Sequence, residues 1–226
     1  MKKQAYCIYF SFLLICIHPF EEDIKSAIEF LNTQRETVLQ IKNTSNANNA
    51  EVLAIVSPEL IRWSAFKDFF ETTALELLYV NKGKTYANLS IGHFQMKPSF
   101  IEQLEEYITL HKSLSHLQYI VIESKSEVET RRERIKRLQQ FAWQLRYAHV
   151  FWSVATDKFK HRTFKNQESK IRFFAAAYNY GFMRPENEIE AKQFQKSFPF
   201  GVGYNKEQIA YSDLSIEFLN KYIYKF

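Results

Sequence analysis

Apolar side chains recur at three- and four-residue steps along most of this chain, and that spacing constrains the fold more than any other feature. Ile24, Ile28, Leu31, Val38 and Ile41 mark an amphipathic helix from Glu21 to about Lys42, which the polar tract NTSNANN (43–49) ends. AEVLAIVSPELIRWSAF and KDFFETTALELLYV continue the helical pattern, NKGKTYANLS (81–90) reads as a loop, and SFIEQLEEYITLHKSL forms a further helix with Ser99 as N-cap and Glu102 three residues on. The longest candidate helix runs near 126–159. KNQESKIRFFAAAYNYGF follows and stops at Gly181, a residue suited to a helix C-terminus. Two short helices, over 186–196 and 212–223, flank the turn-rich KSFPFGVGYN. Five glycines and five prolines in 226 residues are too little punctuation for a many-turned β-sandwich, and 46% hydrophobic residues suffice for a packed core. The expectation is a mostly α protein, a single domain of packed helices with an added N-terminal helix and a long helix near 126–159.

The first twenty residues have a different character. MKKQ, the apolar run AYCIYFSFLLICIHPF and the acidic exit EED have the layout of a secretory signal or a membrane anchor, too short for a comfortable span. The division expected is 1–20 signal peptide or anchor, 21–49 N-terminal helix and linker, and 50–226 the main domain. An exported protein of the periplasm or cell envelope follows, with membrane attachment, if any, through the N-terminus. Both cysteines, Cys7 and Cys16, lie in this segment, so the rest of the chain carries no thiol for a disulfide, a metal or a nucleophile. Loss of Lys2 and Lys3 takes the formal charge from +5 to +3, short of a nucleic-acid-binding signature. RRERIKR (131–137) contains Glu133 and lies beside an apolar stripe, as a solvated helix face does. Six histidines without metal-ligand spacing, and no phosphate loop, leave no metal site and no cofactor to expect.

One carboxylate stands out. On a helical grid Val52, Val56, Glu59 and Trp63 share a face, which places an acid in line with side chains that ought to be buried. Burial without a cationic partner raises a carboxyl pKa and lets it donate a proton near neutral pH. Pro58 leaves two outcomes open, because a helix restarted there would put Glu59 in its first turn, where the helix dipole favours the anion.

Three segments in order, Glu59 on its helix, GHFQMKPS (92–99) and AAAYNYGF (175–182), resemble the soluble lytic transglycosylase family of lysozyme-like enzymes. That family has a glutamate followed by serine, a Gly-Leu-Met-Gln-x-x-Pro-Ser/Thr segment, and Ala-Tyr-Asn-x-Gly. Gly92, Gln95, Pro98 and Ser99 match the second motif, and Ala177, Tyr178, Asn179 and Gly181 the third. Leu60 stands in place of the serine, and Leu89 and Ser90 in place of the usual Gly-Ala, so the likeness is to a divergent member. The 35 residues between Glu59 and Gln95 leave room for an added helix in KDFFETTALELLYV.

The resemblance implies a lysozyme-like domain that cleaves the β-1,4 bond between N-acetylmuramic acid and N-acetylglucosamine in the glycan strands of peptidoglycan. Glu59 would be the general acid and then the base that closes the C6 hydroxyl on C1, forming a 1,6-anhydro product. Gln95 would line the sugar site. Tyr178 would direct its hydroxyl towards the acid or an N-acetyl group, Asn179 would hold the loop, and Gly92 would let the backbone approach the saccharide. Ser90 and His93 complete the candidate substrate contacts, and Phe198, Phe200 and Tyr204 could stack on sugar. Two alternatives remain. One is a muramidase that uses Glu71, with Asp68 as a weaker competitor, as a second carboxylate to place a water. The other is an inactive wall-binding or scaffold protein.

Overall fold

The computed structural model describes residues 20–41, 49–65, 73–199 and 207–222. Within them the order is α1 (Glu21–Thr33), α2 (Arg35–Gln40), α3 (Asn49–Ala65), α4 (Thr73–Lys82), α5 (Pro98–Leu110), a 3-10 helix (Lys112–Ile120), α6 (Glu127–Leu138), α7 (Phe141–Lys158), α8 (Gln167–Tyr180), α9 (Glu186–Lys192), strands β1 (Lys196–Phe198) and β2 (Ile209–Ala210), and α10 (Tyr211–Tyr222). The chain is mostly α. The two strands pair antiparallel as a small flap between α9 and α10. Cys7, Cys16, Asp68, Glu71, Phe200, Tyr204, the tract 42–48 and the Trp63 side chain lie outside the described residues. Phe20, the last residue of the apolar N-terminal segment, is buried in the core and its carbonyl accepts from the Ile24 N–H at 2.8 Å.

At the centre is α3, against which α1, α7, α8 and α10 all pack. Its buried positions run through Val52, Leu53, Ala54, Ile55, Val56, Leu60 and Ile61, so it is apolar on nearly every side, as a central helix must be. Pro58 lies inside this helix without ending it. Proline supplies no N–H to the carbonyl four residues earlier, and here the Ser57 hydroxyl donates to that Ala54 carbonyl at 2.9 Å. The carbonyl that Pro58 strands is thereby satisfied, and the helix continues to Ala65.

Three elements differ from the sequence expectation. The first helix breaks at Gln34 into α1 and α2. The single long helix near 126–159 is two helices, with Gln140 extended between them (φ −104°, ψ 122°). The cause is tertiary: the Leu138 carbonyl at the end of α6 accepts from the Gln144 side-chain amide of α7, not from the next helical turn. Helix α5 begins at Pro98, with Lys97 and not Ser99 at the cap. Proline suits the first helical position because that N–H has no acceptor anyway. The Ser99 N–H goes to Asn88 Oδ1 at 3.1 Å, and Glu102 turns away to Tyr79 and Lys84. Gly181 does end α8, with φ +116°. No helix among the described residues is long and apolar enough to cross a membrane.

Candidate functional site

Glu59 lies in the middle of α3, one residue past Pro58 and far from the helix N-terminus, so the dipole does not hold it charged. The residue is 6% exposed. Burial pushes its pKa from the ordinary 4.5 up to about 7, against the opposing pull of Arg62 and, more weakly, Lys97. Arg62 Nη1 stands 3.6 Å from Glu59 Oε2, an ion pair one helical turn along, and Oε2 accepts no hydrogen bond among the described residues. An acid in this state is a mixture of protonated and charged forms near neutral pH, the condition for giving and retaking a proton.

Two tyrosines share its surroundings. Tyr178, in the last turns of α8, and Tyr211, at the start of α10, both have phenol pKa values raised by burial and then by the negative charge of Glu59. Tyr211 also feels Tyr178 and Arg62. The Tyr211 hydroxyl is buried and unpaired among the described residues. The Tyr178 hydroxyl, which the resemblance directs towards the acid or an N-acetyl group, donates to the Phe94 carbonyl at 2.7 Å.

That bond leads to the segment SIGHFQMKP. Ile91 and Met96 exchange backbone hydrogen bonds at 2.9 and 3.1 Å, and the Gln95 N–H returns to the Gly92 carbonyl at 3.1 Å, which closes a four-residue turn over 92–95. The turn is clamped from both sides. The Phe94 N–H donates to Gln144 Oε1 at 2.7 Å from α7, while Tyr178 holds the Phe94 carbonyl from α8. Gln144 is fully buried.

Gly92 has a different reason from the one expected. Its φ is +70°, and a Cβ there would lie 1.5 Å from Gln144 Nε2 and 2.8 Å from the Leu138 carbonyl oxygen. What approaches this glycine is the buried Gln144 amide that knits α6, α7 and the turn together, so its small size serves the protein's own packing.

Gln95 is the one non-glycine described with positive φ, +49°. A left-handed conformation costs an L-residue about 1–2 kcal/mol. Its Nε2 donates back to the Gly92 carbonyl at 2.7 Å, and its Oε1 is buried without a partner among the described residues. His93 is half-buried, stacked on Phe30 at 4.5 Å and edge-on to Phe141 at 5.7 Å, which is packing between α1 and α7. Ser90 is half-buried ahead of the turn, and Asn179 is exposed in the last turn of α8.

Glu59 is thus coupled by charge to Arg62, Lys97, Tyr178 and Tyr211, and Tyr178, with Gln144, holds the 92–95 turn that carries Gln95. Arg62 was within reach of sequence reasoning, since a cation at i+3 shares the face of Glu59. Tyr211 had no such signal, being brought in by the chain's return through β2. No group of His, Cys, Asp and Glu among the described residues is arranged to hold a metal ion.

A second charged cluster is built differently. Arg134 is buried and forks onto Glu105 at 3.3 and 2.6 Å, while the Tyr79 hydroxyl accepts from Arg134 at 2.6 Å and donates to Glu102 at 2.8 Å. A cleft of about 530 Å³ borders it, lined by Lys84, Glu102, Lys125, Arg131 and Arg134 among others, with neither Glu59 nor Gln95 in its walls.

Comparison of this chain with protein-family models, with curated proteins and with solved structures finds no match.

Proposed function

We propose that the protein is a peptidoglycan lytic transglycosylase that works with one tuned carboxylic acid, Glu59. The observation that carries this reading is the state of that residue: an acid buried in mid-helix beside the Arg62 cation, with its pKa raised by burial to about 7. The order of the three sequence segments adds support, since the second and third hold the turn and the tyrosine that lie with it.

In the proposed reaction protonated Glu59 gives its proton to the glycosidic oxygen between N-acetylmuramic acid and N-acetylglucosamine. The C1–O bond breaks with the electron pair leaving on that oxygen. The Glu59 carboxylate then takes the proton of the C6 hydroxyl as that oxygen bonds to C1, so the acid is restored and no water is consumed. A pKa near 7 suits both halves, because the group must be an effective acid first and an effective base second. Gln95 offers its unpaired Oε1 as an acceptor for a sugar hydroxyl or N-acetyl N–H. Tyr178, by holding the Phe94 carbonyl, fixes where Gln95 stands.

The test is digestion of purified sacculi followed by mass spectrometry of the released muropeptides. Anhydro products from the wild-type chain, absent with Glu59→Gln, are expected. Products one water heavier would replace this reading with hydrolysis and send attention to Glu71 and Asp68. Sacculus binding without soluble product would replace it with a wall-binding scaffold.

A further inference from the structure

Arg62 lies on α3 one turn beyond Glu59, its guanidinium 22% exposed against 9% for the carboxylate side chain, with 3.6 Å between Nη1 and Oε2. At that distance, just beyond an ordinary hydrogen bond, it acts on Glu59 mainly through its charge. Among the described residues the other neighbours are of three kinds. Lys97, exposed at the cap of α5, is the second cation that acts on Glu59. Tyr178 from α8 and Tyr211 from α10 are phenols held neutral by burial. The packed face of α1 is apolar (Ile24, Ala27, Ile28, Leu31), and the titratable groups buried on α7 are Tyr147 and His149, the latter kept uncharged by a pKa that burial lowers to about 4.

We propose that Arg62 is a positioning residue of this site, an ion-pair partner that sets how readily Glu59 takes up and releases its proton. Burial alone would hold the carboxyl protonated further above neutral pH and make it a weaker acid for the first half of the reaction. A partly exposed cation at fixed helical spacing draws it back towards the middle of the range. This rests on the reading of Glu59 as the acid/base, but its test does not.

The test is a pH titration of the Glu59 carboxyl carbon by NMR in the wild-type chain, Arg62→Met and Arg62→Lys, with sacculus-release pH profiles alongside. Removal of an opposite charge within ~4–6 Å raises a carboxyl pKa by one unit or more. Arg62→Met is therefore expected to move the Glu59 midpoint up by about one pH unit, a ~10-fold tighter proton, and to move the alkaline limb of the release profile with it. Arg62→Lys, which keeps the charge, should restore most of both. An unchanged midpoint in a folded Arg62→Met chain, or a rise as large in Arg62→Lys, overturns the proposal. A wild-type chain that releases nothing at any pH would overturn the transglycosylase reading, while the titration would still decide the role of Arg62.

Discussion

Replacement of Glu59 by glutamine should stabilise the protein, and the gain should depend on pH in one direction. The carboxyl binds its proton more tightly in the folded chain, at about 7, than in the unfolded one, at about 4.5. A folded pKa raised above the unfolded value gives stability that is fully present below about pH 4.5 and is lost as pH rises through about 7. At ~1.4 kcal/mol per pH unit, a gap of about 2.5 units makes the charged carboxylate cost on the order of 3 kcal/mol above pH 8. Glutamine keeps the shape and never ionises, so it escapes that cost. The pull of Arg62 is already contained in the folded value of about 7.

The measurement is thermal unfolding of wild type and Glu59→Gln from pH 4 to pH 9 at constant ionic strength. The variant should melt within a degree or two of wild type at acid pH. It should exceed wild type by roughly 6–12 °C at pH 8, given ~2–4 °C per kcal/mol for a chain of this size. A difference that stays flat across the range, or that favours wild type at alkaline pH, would refute the claim that burial perturbs this acid. Because the readout is stability, it holds whatever the substrate proves to be.

Gly92→Ala should cost ~3 kcal/mol or more in urea unfolding, since its Cβ meets the buried Gln144 amide at 1.5 Å on a backbone with φ +70°; an unaffected midpoint would mean that Gln144 can move aside. Gln95→Gly should leave stability unchanged or raise it by up to ~1 kcal/mol, because φ +49° suits glycine, yet abolish sugar release; retained release would remove Gln95 from the site. Arg134→Met should destabilise by ~3–5 kcal/mol, because Glu105 would be left buried without its fork, while the Glu59 NMR midpoint stays where it was.

The helical periodicity made the fold class legible, because α1, α3, α5, α8 and α10 bury the side chains that their spacing marks. The break between α6 and α7 was not, since Leu138-Gln139-Gln140-Phe141 holds neither glycine nor proline and reads as continuous helix. The stop is imposed from outside, by a Gln144 amide that caps α6 while it holds Phe94. Glu59 was legible as an acid on an apolar face. Its state was not, because that depended on whether Pro58 restarts the helix, and the answer lay in a Ser57 hydroxyl that takes over the Ala54 carbonyl. Gly92 was noticed as a site for close approach, which it is, but a fifty-residue contact with Gln144 decides what does the approaching.

The contrast between the two buried carboxylates bears most directly on function. Burial raises the pKa of both Glu59 and Glu105. Glu105 is given a bidentate arginine, itself anchored on the Tyr79 hydroxyl, so both its oxygens are used and the cluster is locked. That is how a fold treats a buried charge that it keeps for structure. Glu59 Oε2 is given a cation at 3.6 Å, and two further buried polar atoms lack partners among the described residues: the Tyr211 hydroxyl, whose phenol feels the Glu59 charge, and Gln95 Oε1, on the turn that Tyr178 holds. Each such atom costs about 1–3 kcal/mol if nothing ever pairs with it. The Gln95 backbone is strained as well, held at φ +49° by a turn clamped from α7 and α8. Departures from local stability rules are expected where a site has to meet something other than its own chain. Here they include the acid, the amide and the phenol, besides atoms elsewhere such as Asn49 Oδ1 and the Tyr147 hydroxyl, while Glu105 and Arg134 pair through both carboxylate oxygens.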